Sequence, residues 1–243
     1  MPEGLDWQAP WHAPWREPGR AVEAALAAGA ALRDALNVHA PAPVRFVAQE
    51  ALPQGVPYER FVFERRECPT RENLHDFFNG LVWHRMPRAK ARLNALQAAE
   101  IAAHGVGGRR GPVRDAITLF DENGALLDAP APLWDALLER DWKRLFVELR
   151  PLWDAARILV FGHALLEQLA RPRKDLTAHV WAQPCALADL AAADAWLASC
   201  CTPQRLAAKP FTPLPVAGIP GWDAGNQNFS FYDDSLVFRP RRR

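Results

Sequence analysis

PTRENLHDFFNGLVWHRMPRAKARLNALQ, residues 69–97, is the stretch whose reading decides the fold. Leu74, Phe77, Phe78, Leu81 and Met86 recur at helical spacing, so one broad face is buried. Asn73 is suited to cap the helix start, with Asp76 three residues on, near the positive end of the helix dipole. Pro87 removes a backbone donor and kinks the helix or starts a second one. Beyond it Ala89, Leu93 and Leu96 rebuild the apolar stripe, with Lys90, Asn94 and Gln97 beside it. His75 and Asn79, four apart, share another face. Two polar stripes thus flank a buried one. They either border a cleft, or hold structural amides satisfied by loop carbonyls beside solvated Lys90 and Arg92.

Toward the amino terminus, Trp7, Trp11 and Trp15 are spaced four apart, but Pro10, Pro14 and Pro18 argue against a regular helix. The reading is an arm that docks its indoles on the body. Residues 20–37 form an alanine-rich helix, while Arg45 to Val47 and Tyr58 to Phe63 read as short strands or extended segments. Beyond His104, a Gly105 to Gly111 loop leads to two apolar runs, 116–121 and 125–127. The Asn123-Gly124 pair between them is a hairpin signal. Helical patterns follow over 133–140, 141–149 and 151–170, then a strand over 177–182 and a helix over 187–200. From Thr202 onward, prolines forbid a long element and the chain wraps the domain, anchored by Phe211, Trp222, Phe229, Phe231, Tyr232 and Phe238.

A chain of 243 residues that is 49% hydrophobic can bury one large core. Its formal net charge of +1 makes nucleic acid an unlikely partner, although Arg85, Arg88, Lys90, Arg92, Arg109 and Arg110 are the residues that would bind it. Cys68, Cys185, Cys200 and Cys201 have neither zinc spacing nor a disulfide framework, which fits reduced thiols and a cytoplasmic location. No apolar run is long enough for a membrane span.

Candidate chemistry concentrates in a few residues. His163 and Glu167, four apart on one helix face, are candidate ligands for a divalent metal ion, with Gly162 admitting a neighbouring backbone. The same spacing fits an imidazole bonded to a carboxylate one turn on. A third ligand would come from His75, His84, Asp115, Asp121, Glu122 or His179. Arg114-Asp115 and Asp121-Glu122 suit a cation or phosphate ester, or simply a tight turn. The Gly105 to Gly111 loop has anion-binding composition without an established phosphate-loop pattern. Asp233-Asp234 beside Tyr232 either faces a cleft or caps a turn.

The runs Phe77 to Trp83, Pro87 to Lys90 with Leu93-Asn94, Arg114 to Gly124, Phe161 to Glu167, and Gly218 to Trp222 through Arg239-Pro240 together resemble a bacterial family classed as a domain of unknown function, over about residues 44–240. The resemblance implies a bacterial, cytoplasmic, single-domain protein and carries no activity, cofactor or catalytic residue. The resulting expectation is an α+β fold, predominantly helical. An arm and helix over 1–43 precede one globular domain over 44–240, with a small antiparallel sheet and a proline-rich C-terminal wrap. The functional expectation is a hydrolase-like or metal-assisted site between the helices 73–104 and 151–170, formed by His75, Asn79, Lys90, Asp115, His163 and Glu167. Its rivals are a non-enzymatic scaffold whose aromatic arm and tail contact a protein partner, and a nucleic-acid binder.

Overall fold

The computed structural model describes residues 4–39, 42–105 and 111–241. In chain order, a 3₁₀ turn (Pro10–Trp15) leads into α1 (Arg16–Ala27), α2 (Leu32–His39), β1 (Arg45–Ala48), α3 (Tyr58–Arg65) and β2 (Glu67–Thr70). Next come α4 (Leu74–Arg85), α5 (Pro87–His104), α6 (Pro112–Asn123), β3 (Gly124–Asp128) and α7 (Ala131–Glu139). The chain continues through β4 (Arg157–Val160), α8 (His163–Gln168), β5 (Thr177–Trp181), α9 (Leu190–Cys200), α10 (Pro203–Ala207) and β6 (Phe211–Pro215). The fold is α+β and predominantly helical, with two small sheets.

The helix α4 begins where Asn73 accepts the backbone N–H of Asp76 at 2.8 Å. It buries Asp76 through Trp83 without interruption, more than the single face its periodicity predicts, because α8, α5, α9 and α2 surround it. Each fully buried Phe or Leu there contributes about 1.5–3 kcal/mol. Pro87 opens α5 at its first position, where a missing N–H costs nothing. The next donors of α5 are covered from another helix: Asp194 of α9 accepts Arg88 N at 3.0 Å and Ala89 N at 2.8 Å.

Three readings of the sequence are corrected. The expected 116–127 hairpin is instead a helix, α6, followed by a strand. Pro112 starts α6, and Val113, Ala116, Ile117 and Phe120 are buried at one helical face, so Asn123-Gly124 ends a helix instead of turning a strand. The expected 151–170 helix breaks into a 3₁₀ turn (Arg150–Ala155), β4 and α8, because the apolar run Ile158-Leu159-Val160 pairs with β3. Tyr58 to Phe63, expected extended, is helical: Pro57 sets its start and Tyr58, Phe61 and Val62 face inward. The main sheet runs β4-β3-β5-β6. Its outer pairings are antiparallel, and the central β3–β5 pairing is parallel. Pro213 and Pro215 lie on its edge strand β6, which can lack ladder donors.

Trp7, Trp11 and Trp15 are all buried, so the arm docks on the body through a 3₁₀ turn followed by α1. One close approach positions the site. A Cβ on Gly162 would lie 2.5 Å from Asn123 N and Glu122 O, so only glycine lets the entry to α8 press on the end of α6. Gly162 N donates to Gly124 O at 2.8 Å and locks that junction.

Candidate functional site

Four helices deliver side chains to one cavity of about 380 Å³. His75 comes from the first turn of α4, Lys90 from the first turn of α5, Asp121 and Glu122 from the last turn of α6, and His163 from the first position of α8. Carboxylates at a helix C-terminus oppose its dipole by about 0.3–1 kcal/mol each, so Asp121 and Glu122 are placed against local preference.

The two imidazoles converge. His163 Nε2 lies 3.1 Å from His75 Nε2 and 3.6 Å from Glu122 Oε2. His75 Nδ1 is 2.9 Å from Glu167 Oε2, a pairing that makes Nδ1 the donor and turns the Nε2 of His75 toward His163. Among the described residues, His75, Glu122 and His163 form the group whose ligand atoms all lie within 4.8 Å of one another. Two imidazole nitrogens bound to one zinc at about 2.0–2.1 Å stand about 2.8–3.4 Å apart for bond angles of about 90–109°. The observed 3.1 Å falls in that interval, and the Glu122 separation lies a few tenths beyond it.

Burial pushes the His163 imidazole down to about 3 against the pull of the Asp121 carboxylate, so it is neutral, as a metal ligand must be. Burial raises the carboxyl of Asp121, but the Lys90 ammonium at 2.6 Å holds it net below the usual carboxylate value. Burial and then the charge of Asp121 push Glu122 up. Arg71 grips Asp76 with two bonds of 3.0 Å, and Lys90 grips Asp121. With those pairs cancelled, the carboxylates of Glu122 and Glu167 remain as a local negative surplus that a divalent cation offsets.

The rest of the wall mixes apolar side chains such as Val62, Trp83, Leu93 and Ile117 with incompletely bonded amides. Asn79, Asn94 and Gln97 line the cavity, and the side-chain oxygen of each is buried without a hydrogen-bond partner. Tyr58 Oη contacts Cys68 Sγ at 3.1 Å, and burial pushes Tyr58 well up and the Cys68 thiol up to about 11. Cys68 is therefore a thiol, not a thiolate nucleophile.

Of the six residues expected to form the site, the structure brings His75, Asn79, Lys90, His163 and Glu167 together. It does not bring Asp115, which is exposed on α6 and ion-paired to Lys209. Of the expected metal pair, Glu167 bonds His75, and the group whose atoms could hold a metal ion joins His163 with His75 and Glu122. Asp121 and Glu122, expected either as turn residues or as a third ligand, sit in the last turn of α6, and Glu122 is the one that joins the two imidazoles. Tyr58 and Cys68 carried no signal at all. The basic set splits up, with Lys90 inside, Arg92 donating to Cys201 O, Arg85 beside Glu17, and Arg109 and Arg110 outside the described residues. Most of the Gly105 to Gly111 loop also lies outside them. Of the tail aromatics, Tyr232 and Phe238 are buried and Phe229 is exposed. Asp234 pairs with Lys174 and accepts Leu236 N, away from the cavity.

No described helix is long and apolar enough to cross a membrane. All four cysteines are free and buried. No curated protein and no solved structure matches the chain. One family does, over residues 44–242, and it spans every element that lines the cavity: the chain belongs to the family described as "Protein of unknown function (DUF3025)".

Proposed function

We propose that the protein is a metal-dependent hydrolase in which His75, His163 and Glu122 hold one divalent ion at the meeting point of α4, α8 and α6. The observation that carries this reading is the pair of Nε2 atoms facing each other at 3.1 Å, with Glu122 beside them and Glu167 behind His75. Two facing ring nitrogens need a shared proton or a metal between them, and the third ligand and the oriented imidazole favour the metal. Three protein ligands leave coordination positions open, the arrangement of catalytic zinc sites, and bound zinc supplies a water acidic enough to ionise near pH 7. Glu167 orients His75, and the buried Lys90–Asp121 pair stands at the edge of the ligand set, where the ammonium keeps Asp121 ionised. The free, buried cysteines support a reducing, cytoplasmic setting.

The test is metal analysis of the full chain after zinc reconstitution and desalting. About one zinc per chain, lost in both His75→Ala and His163→Ala, is the expected result. No retained metal in the wild-type chain would sink the reading. Selective retention of iron would remove its hydrolytic half, because two histidines and one carboxylate also serve non-haem iron enzymes.

A further inference from the structure

His163 carries one of the buried atoms left without a partner around this cavity. The residue is 4% exposed, and its Nδ1 makes no hydrogen bond among the described residues. Beside it stands the Asp121 carboxylate, with Oδ2 at 3.8 Å, beyond hydrogen-bond reach, and Oδ1 held by Lys90 at 2.6 Å. The main-chain carbonyl of Asp121 also lies beside the ring without completing a bond. His75 differs in one respect: its Nδ1 is bonded, 2.9 Å from Glu167 Oε2.

The difference follows from where the protons sit. A carboxylate only accepts, so the bond to Glu167 places a proton on His75 Nδ1, and the Nε2 of a neutral His75 is then an acceptor. The 3.1 Å contact between the two Nε2 atoms needs one proton, which His163 must supply from its own Nε2. The Nδ1 of a neutral His163 is therefore a bare lone pair beside a carboxylate, and no bond can form there. A metal ion reverses this assignment. It takes the lone pairs of both Nε2 atoms, so a neutral His163 ligand carries its proton on Nδ1. The orphaned atom becomes a donor next to a charged acceptor that Lys90 already fixes in place.

Resting on the metal reading, we propose that Asp121, clamped by Lys90, is the positioning residue of His163, and that loading the ion moves the His163 proton from Nε2 to Nδ1, where Asp121 Oδ2 accepts it. One N–H bond breaks and one forms, through exchange with water, so the ring stays neutral and releases no net proton. The contact closes by about 1 Å to reach the length of a charge-assisted N–H bond. Asp121 then stands behind His163 as Glu167 stands behind His75.

The test is two-bond ¹H–¹⁵N NMR of histidine-labelled full-length protein, metal-free and zinc-loaded, at about pH 8, where ordinary imidazoles are neutral. His163 is assigned by the loss of its signals in His163→Gln. Expected are Nε2–H at His163 in the metal-free chain, Nδ1–H with a protected downfield proton in the loaded one, and no tautomer change at His75. Asp121→Asn keeps the main-chain carbonyl, and Lys90 draws its amide oxygen, leaving an NH₂ group toward Nδ1. That variant should lose the protected proton and bind zinc about 10–100-fold more weakly. An Nδ1–H tautomer already in the metal-free chain, an Nε2–H kept with zinc bound, or an unchanged protected proton or zinc affinity in Asp121→Asn overturns the proposal. The wild-type spectra decide it by themselves if Asp121→Asn folds poorly with Lys90 unpaired. Zinc bound without these changes sinks this proposal alone, whereas a wild-type chain that retains no zinc sinks the metal reading with it.

Discussion

Two clusters of buried amides make opposite use of the same chemistry. In the C-terminal wrap Asn226 is fully buried and fully bonded: its Nδ2 donates to Ala217 O at 2.9 Å and Ile219 O at 2.7 Å, and its Oδ1 accepts from Arg150 at 3.1 Å. Tyr232 completes the cluster by donating to Gly218 O at 3.0 Å. In the cavity, Asn79, Asn94 and Gln97 are nearly as buried, yet their oxygens have no partner. The first cluster holds the tail in place, while the oxygens of the second have no hydrogen-bond partner among the described residues. Burial of an amide thus says little about its role until its hydrogen bonds are counted.

The comparison can be broken most forcefully at its closed end. Asn226→Ala strands two carbonyls and a guanidinium, and a loss of about 3–5 kcal/mol in urea denaturation is expected. A loss below about 1 kcal/mol would show that the wrap is not held there. Gly162→Ala comes next. Its methyl would press on the backbone of Glu122 and Asn123, so a destabilisation of about 2–4 kcal/mol and a weakened zinc affinity should appear together. Destabilisation with zinc affinity unchanged would separate the α6–α8 junction from the ligand geometry.

Glu167→Gln sharpens the open end. The amide keeps the shape but is a poorer acceptor for His75 Nδ1, and zinc affinity by competition with a chelating dye should fall about 10–100-fold, with little change in urea midpoint. An unchanged affinity would mean that Glu167 does not orient His75.

The smallest effect concerns His12, which packs against Phe78 of α4 at a ring separation of 5.6 Å, with Nδ1 on Asp6 O at 2.9 Å. Burial holds its imidazole below the ordinary 6.5. The unfolded chain therefore binds more protons, and this contribution to stability is complete above about pH 6.5 and is lost as pH falls from there toward the folded value. His163 and His179 share the direction, so His12→Phe should flatten, not abolish, the decline in stability between pH 7.5 and 5.5. Identical slopes in the two proteins would contradict the assignment.

Local signals were read well where one segment decides its own structure. Asn73 caps α4 and Pro87 opens α5, because capping and a missing donor act within a few residues. The α6 region resembles a strand and turn because Ile117, Thr118, Leu119 and Phe120 also favour strands and Asp121 to Gly124 has turn chemistry, yet it folds as a helix. The better signal was the spacing of Val113, Ala116, Ile117 and Phe120. Asp115 was a poor candidate for the same reason: on a helix it points away from the face that carries Ile117 and Asp121 to the cavity.

By itself the sequence determined α4 and α5, with the cap and the proline that start them, since these follow from bonds and contacts inside short segments; α6 and α8, which carry Asp121, Glu122 and His163, did not follow from it. Which imidazole meets which carboxylate was decided by the tertiary structure. His75 and His163 lie 88 residues apart, and they are joined because Gly162 lets α8 close on the end of α6 while α8 packs on α4. Such partners are chosen by how whole faces bury, a sum over many weak contacts that no short stretch of chain contains.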